Sequence, residues 1–466
     1  MGKFKNIKMK KILLSLSVLS ILSCENEPKV DYALFSGKIE NALVKKITVN
    51  GFDFSKEIPL KEDGSFTDTL KIDKPGLYNF SVGRESSSVY LKKGFDINLK
   101  MDAKQFDETI TYTGKGQDAN NYLAQKQLTN EKLIGAPNVF YALDEDSYKN
   151  KLEEITNTHL EALNSLENVD DDFAALEKQN LDYEKLGYLL RYEPYHKHFA
   201  QKEKFEVSEG FLPERLKSMS FDDAYLYNNL PSYKSLALNS VMDEIYETIG
   251  EDYLNATTED FKTLESINIP ELKNDIIRSN GIFLVSPANP KMKELYDFFV
   301  KQTTDEEIKE ALTEKFNKNK NLVKGMPSPK FVNYENHKGG TTSLEDLKGK
   351  YVYIDVWATW CGPCKREIPF LKEIEKEYHG KNIAFVSTSI DRASDHEKWK
   401  NMVKEEELGG IQLFADNDWQ SQFVKDYAIE GIPRFILVDP EGNIVSADAP
   451  RPSSPKLKEL FDELNI

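Results

Sequence analysis

A chain of 466 residues is too long for one ordinary domain and has room for about three. With 39% hydrophobic and 30% charged residues it reads as a soluble, surface-rich protein, and a formal charge of −17 disfavours nucleic acid and anionic lipid headgroups as partners at long range. Only three cysteines are present, so no framework of structural disulfides is expected.

Residues 1–23 read as an export signal. Five lysines (Lys3, Lys5, Lys8, Lys10, Lys11) and no acid lead into the apolar run Ile12 to Leu22. That run is too short to span a bilayer comfortably as a permanent helix. The stretch Ile21-Leu22-Ser23-Cys24 resembles a bacterial lipobox, although leucine is commoner at the position of Ile21. The resemblance implies that Cys24 is acylated and becomes the mature N-terminus; an ordinary signal peptide cut elsewhere is the alternative. Removal of the segment would leave 56 basic against 78 acidic side chains, a formal charge of about −22. It would also leave Cys361 and Cys364 as the only thiols. An exported protein that keeps a single CxxC pair is expected to use it for redox chemistry.

A polar tether, 24–30, leads to residues 31–116, which read as a small antiparallel β-sandwich of seven or eight strands. Asp63-Gly64 lies between Ile58-Pro59-Leu60 and Phe66 to Leu70, a hairpin signal. The run Tyr112-Thr113-Gly114-Lys115-Gly116 with Asn120-Asn121-Tyr122-Leu123 resembles the end of the β-domain that precedes thioredoxin modules in envelope lipoproteins of Bacteroidetes-type bacteria. Residues 117–325 read as helical. Tyr148, Leu152, Ile155, His159, Leu163 and Leu166 form one apolar stripe, with Asp144 or Asp146 as its cap. Ala174 to Leu190, Ser232 to Ile249, Thr258 to Ser266 and Pro290 to Gln302 continue the pattern. No phosphate-binding glycine loop or metal-ligand helix motif occurs there. His196 and His198, two apart on a helix, point in different directions and are not expected to hold a metal. No metal and no cofactor are predicted.

Met326-Pro327-Ser328-Pro329 marks the boundary of a last domain, 326–466. It reads as a β-hairpin, a short helix near Ser343 to Leu347, strand Tyr351 to Val356, a helix from Lys365, strand Ile383 to Ile390, an insertion from Asp391 to about Asp416, a helix from Trp419 to Tyr427, two strands at Phe435 to Val438 and Asn443 to Ala447, and a final helix. Ser454 and Pro455 start that final helix, and Leu457, Leu460, Phe461 and Leu464 form its buried face. At the junction of the first long strand and its helix stands Trp360-Cys361-Gly362-Pro363-Cys364. A bare CxxC is ambiguous, since zinc sites share the spacing, but a zinc site needs a second ligand pair and none is present. Cys361, just before the first helical turn, is expected to be the exposed, ionised nucleophile, because the free N–H groups and helix dipole favour an anion. Cys364, one turn inward, would resolve the mixed disulfide.

Together with Asp355 six residues upstream, Pro369 five residues downstream and the later run Gly431-Ile432-Pro433-Arg434-Phe435-Ile436-Leu437-Val438, this motif resembles the thioredoxin superfamily. The spacing Cys361-x-x-Cys364-x-x-Glu367-x-Pro369 resembles its TlpA/ResA branch of membrane-anchored envelope proteins. The resemblance implies that Asp355 is the base for Cys364 and that Glu367 tunes the thiols. Many relatives carry asparagine where this chain has Asp355, so the two acids compete for the assignment, and a solvated surface role for Glu367 stays open. It also implies that Ile432-Pro433 is a cis-proline loop and that Trp360, Gly362 and Pro363 belong to the partner-docking surface, with Trp357 as packing. The expected protein is multidomain: all-β sandwich, α-helical middle, and an α/β thioredoxin fold at the C-terminus. It would be a periplasm-facing, lipid-anchored thiol-disulfide oxidoreductase that reduces disulfides of exported proteins and is re-reduced by a membrane electron donor. A peroxiredoxin-like peroxidase and a scaffolding lipoprotein with a secondary redox module are the alternatives.

Overall fold

The structure, a computed structural model, describes residues 30–250 and 252–466. The expected export signal, Cys24 and all but the end of the tether lie outside the described residues. The described chain divides into two compact units, one running up to Ser220 together with Tyr225–Leu236, the other comprising Phe221–Ala224 and Ala237–Ile466.

In the first unit eight strands form two four-stranded sheets. They are β1 (Ala33–Glu40), β2 (Lys46–Gly51), β3 (Phe54–Pro59), β4 (Ser65–Leu70), β5 (Gly76–Val82), β6 (Glu85–Leu91), β7 (Asp96–Asp102) and β8 (Thr111–Lys115). One sheet has the order β4-β1-β7-β8 and the other β3-β2-β5-β6. Side chains alternate as a half-buried sheet requires, so Phe35 of β1 and Phe80 of β5 meet across the two sheets with centroids 6.2 Å apart. Two expectations need correction. The sandwich is not purely antiparallel, because β1 and β7 pair in parallel, Leu34 opposite Asp96. The Asp63-Gly64 turn is tight, with Gly64 N–H donating to the Lys61 carbonyl at 2.9 Å, but it joins strands of different sheets rather than a hairpin. Gly64 has φ +78° and a Cβ there would lie 2.1 Å from the Ile39 carbonyl oxygen, so the turn is pressed onto β1 and hands the chain to that sheet.

The helix Gln117–Ile134 closes an edge of each sheet through two consecutive asparagines. Asn120 accepts from Tyr90 N–H (2.7 Å) and donates to its carbonyl (3.0 Å) on β6; Asn121 does the same to Tyr112 of β8 (2.8 Å each). Each amide thus supplies the bonds of a missing neighbour strand. The helix Glu145–Asn164 buries Tyr148, Leu152, Ile155, His159 and Leu163, the predicted stripe except for Leu166, which lies past its end. Its cap is Asp144, accepting from Ser147 N–H at 2.9 Å. His159 meets Asn130 at 2.7 Å, and burial, with Lys126 nearby, pushes its imidazole down to about 4. His196 is buried in the helix Asp171–Phe199 and meets the Tyr141 carbonyl at 2.8 Å.

In the second unit the helices Pro270–Leu284, Met292–Gln302 and Glu306–Asn319 precede the C-terminal sheet. The expected helix at Thr258 to Ser266 is only a short 3-10 turn, Lys262–Glu265. The sheet comprises β9 (Tyr334–Asn336), β10 (Thr341–Thr342), β11 (Tyr351–Trp357), β12 (Ile383–Ser389), β13 (Ile411–Phe414), β14 (Arg434–Val438) and β15 (Ile444–Ser446). Their order is β10-β9-β13-β12-β11-β14-β15. β11, β12 and β13 run parallel, and β14 is antiparallel to β11. The stretch read as an insertion therefore contributes a strand of the sheet, β13, as well as the helix His396–Glu405 with Trp399 and Val403 buried. β11 is an interior strand, between β12 and β14, and is covered on both faces. Val352, Ile354 and Val356 face the core that holds Trp399 and Leu413. Tyr353 faces the other core, with Leu371 and Ile374 of the helix Gly362–Glu377 and Leu457 and Phe461 of the helix Pro455–Glu463. By the two-residue period of a strand, Asp355 shares the side of Tyr353 and lies under the helix Gly362–Glu377.

Candidate functional site

Strand β11 ends at Trp357, and a four-residue bend delivers Cys361 to the start of the helix Gly362–Glu377. Asp391, fully buried just after β12, holds the bend. It accepts from Thr359 N–H (2.9 Å), Thr359 Oγ1 (2.8 Å) and Ser389 Oγ (2.7 Å). Asp391 was not singled out in the sequence; an acid at a strand end reads there as an ordinary turn residue.

Cys361 and Cys364 are joined in a disulfide. Cys361 occupies the N-cap position, and its Sγ accepts from Cys364 N–H at 3.1 Å. A sulfur carrying negative charge at that position would be met by the free N–H groups of the first turn. Pro363 fits there because its missing N–H would have had no partner in the helix. The expected contrast between an exposed Cys361 and a buried Cys364 is absent in this disulfide state, where each residue is 4% exposed. The two side chains are bonded into one unit that packs in the same core. The exposed rim is instead Trp360, at 50%, with Gly362 and Pro363. Trp357 is buried, as a packing residue should be. The Ile432-Pro433 bond is cis, and Ile432 packs against the core cluster that contains both cysteines.

The two acids have different surroundings. Asp355 is 8% exposed. Burial pushes its carboxyl up to about 8; the Ser387 hydroxyl opposes the shift, and Glu367 and Glu375 add to it. Its Oδ1 has no protein hydrogen-bond partner. Glu367 is 9% exposed, not a solvated helix carboxylate. Its two oxygens accept from Ser453 N–H and Ser453 Oγ, each at 3.0 Å, which ties the helix to the segment before Pro455–Glu463. A third acid escaped the sequence reading. Glu375 lies on the inward face of the same helix, in the series Ile368, Leu371, Glu375. Burial pushes its carboxyl up to about 7, with Lys372 and Lys338 pulling the other way. An acid at the edge of the apolar stripe of an amphipathic helix was the available signal.

Among the described residues, no group of three or more histidine, cysteine, aspartate or glutamate side chains is placed to hold a metal. No described helix is long and apolar enough to cross a membrane.

A Redoxin family model matches residues 323–463. The thiol-disulfide oxidoreductase ResA of Bacillus cereus is 26% identical over 149 residues, which cover 32% of this chain and 83% of that protein. A Bacteroides vulgatus protein with a solution structure, provisionally assigned as a thiol-disulfide oxidoreductase, is 53% identical, with 31% of this chain and 92% of that one covered and a TM-score of 0.27. The thioredoxin domain of another Bacteroides vulgatus thiol-disulfide oxidoreductase is 31% identical over 31% of this chain and 98% of that one, with a TM-score of 0.28.

Proposed function

The chain belongs to the TlpA/ResA-like thioredoxin family and is a thiol-disulfide oxidoreductase, and we propose that it reduces disulfides of exported proteins through Cys361 and Cys364. The observation that carries this reading is the Cys361–Cys364 disulfide at a helix N-terminus, rimmed by exposed Trp360, Gly362 and Pro363. In the reduced protein the Cys361 thiolate attacks a partner disulfide, forming one S–S bond and releasing one partner thiol. Asp355 accepts the proton of Cys364. The Cys364 thiolate then attacks Cys361 Sγ, the bond to the partner breaks, and the partner leaves with two electrons. Thiolate character decides the order of attack. A cysteine of pKa ~8.5 is only about a tenth ionised at pH 7.5, and one of ~7 is about three quarters ionised. The Gly362-Pro363 dipeptide resembles that of reducing family members, and an oxidising periplasm then requires a membrane donor to re-reduce the pair.

Within this reading Trp360, Gly362, Pro363 and Ile432-Pro433 form the docking surface, where an extended partner segment pairs with the backbone beside Cys361. Cys24 carries the lipid that holds the protein on the periplasmic side of the envelope, the outer membrane included, which mass mapping of the mature N-terminus checks.

Trapping tests the reaction. Cys364→Ser should accumulate covalent partner adducts that dithiothreitol dissolves, and Cys361→Ser should accumulate none. Adducts from Cys361→Ser alone would reverse the two roles.

A further inference from the structure

A base that takes the proton of Cys364 must first have lost its own to water, yet Asp355 lies under a helix on an interior strand of the sheet. Asp355, Trp357, Ser387, Gln412 and Glu375 line a cavity of about 10 Å³ between sheet and helix, room for about one water. Three buried polar atoms without a protein partner belong to this one lining: Asp355 Oδ1, Trp357 Nε1 and Gln412 Oε1. A water in such a space needs two to four polar partners, and these supply them. Glu375 also lines a second, open groove of about 760 Å³, with Lys350, Lys376 and His379. It is thus common, with Lys372 and Gly409, to the small cavity and the open groove. Room for its carboxylate comes from two glycines. A Cβ on Gly409 would lie 2.1 Å from Glu375 Oε2, and one on Gly410 would lie 2.9 Å from Oε1.

We propose that Glu375 is the outlet by which the Asp355 proton reaches solvent, through one water held in the cavity beneath the helix Gly362–Glu377. This rests on the reading of Asp355 as the base for Cys364. The groups that bear on the pair support it. Glu367 and Glu375 of the helix and Ser387 of β12 act on Asp355, with Tyr353 beside it on β11. Lys372 and Lys338 act on Glu375. The two acids are raised to about 8 and about 7, each chiefly by burial. Donor and acceptor are therefore nearly matched close to neutral pH, which makes transfer between them easy in either direction. In each cycle Asp355 first loses its proton through the water and Glu375, and it then takes the Cys364 thiol proton as the Cys364–Cys361 bond forms and the Cys361–partner bond breaks. Electrons move only between sulfurs.

The reduced full-length protein is mixed with an aromatic disulfide whose thiolate is coloured, and release is followed from pH 5.5 to 9. The first phase reports attack by Cys361 and the second reports resolution by Cys364. Glu375→Gln should leave the first phase unchanged, which also certifies the fold. It should slow the second about tenfold near neutral pH and alter its pH profile, and Glu375→Asp should restore part of the rate. In an Asp355→Asn background Glu375→Gln should add nothing, because both residues serve one path. An unchanged second phase, or a slowing of equal size in the Asp355→Asn background, overturns the outlet while leaving the exchange reaction intact. No coloured release from the wild type would overturn the exchange reading itself.

Discussion

Each unit of this molecule buries charge, and each handles it differently. In the first unit Lys126 is almost wholly covered, and its Nζ meets Glu177 at 2.6 Å and Glu184 at 2.9 Å. Asn180 donates to both carboxylates, Tyr122 OH donates to Glu177, and Ser232 Oγ donates to Asn180. Burial works against the ammonium charge, but the two carboxylates outweigh it and hold the lysine protonated. In the second unit Asp355 is buried and Glu375 half-buried, neither in a salt bridge among the described residues, and Asp355 Oδ1 has no protein partner. A buried ion with its counter-ions in place is a structural device whose proton never moves. A buried acid and a half-buried one beside it, without such a counter-ion, store proton affinity near neutral pH, which is what proton transfer requires.

Breaking the compensated cluster should have the largest effect. Lys126→Met leaves Glu177 and part of Glu184 buried without a cation, and removal of one partner of a buried pair costs about 3–5 kcal/mol. Denaturant unfolding of the full chain, with hydrogen exchange of the segment Gln117–Ile134 as the local probe, should show the loss in the first unit. Thiol exchange at Cys361 should keep its rate. A loss below about 1 kcal/mol would mean that the cluster relaxes into water and is not a structural device.

Asp355→Asn should act in the opposite direction on stability, and its sign follows from linkage. The carboxyl has an ordinary value of 3.8 and is raised to about 8 in the folded protein. Its contribution to stability is complete below pH 3.8 and is lost as pH rises to about 8, since only the unfolded chain ionises freely in that window. Each pH unit is worth about 1.4 kcal/mol, so by neutral pH the asparagine variant should be more stable by a few kcal/mol in the disulfide state. Near pH 4 the two proteins should melt together. Parallel melting curves across the whole range would show that Asp355 is not held protonated, and the contrast with the Lys126 cluster would collapse. Resolution by Cys364 should slow in the same variant.

The site was more legible than the frame around it, for a physical reason. Cys361, Cys364, Asp355 and Glu367 sit at fixed spacings along one strand and the helix after it, Ile432-Pro433 opens its own short apolar strand run, and such local patterns are written in sequence. The pairing of β1 with β7 joins residues about sixty positions apart, and the divergence of β3 and β4 at Gly64 depends on a contact with Ile39. Neither leaves a local pattern. β13 was hidden because its four residues, Ile411 to Phe414, follow Gly409-Gly410 in a stretch that reads as a loop. Asn120 and Asn121 were visible as part of a resemblance, but their use as strand surrogates depends on where β6 and β8 end in space. Glu375 was legible only as an acid on an apolar stripe, and its meaning came from the cavity beneath it.

The smallest expected effect concerns Glu367, which falls between the two kinds of buried charge: it is covered, and neutral donors satisfy it. Ser453→Ala removes the hydroxyl bond to Oε1 while the backbone N–H bond to Oε2 and the negative charge remain. Because Ser453 is solvent-accessible, the loss should be about 1 kcal/mol rather than the about 1.5–3 kcal/mol of a fully buried bond to a charged group. Glu367→Gln keeps the shape and removes the charge. If Glu367 acts on the thiols through its charge, alkylation rates of the reduced protein against pH should place the Cys361 titration of Ser453→Ala with the wild type and shift that of Glu367→Gln downward, since a nearby anion disfavours a thiolate. Equal shifts in both variants would assign the effect to the anchoring of the helix by Ser453. No shift in either would leave Glu367 as a tie between the helix Gly362–Glu377 and the segment that leads into Pro455–Glu463, with no influence on the thiol chemistry.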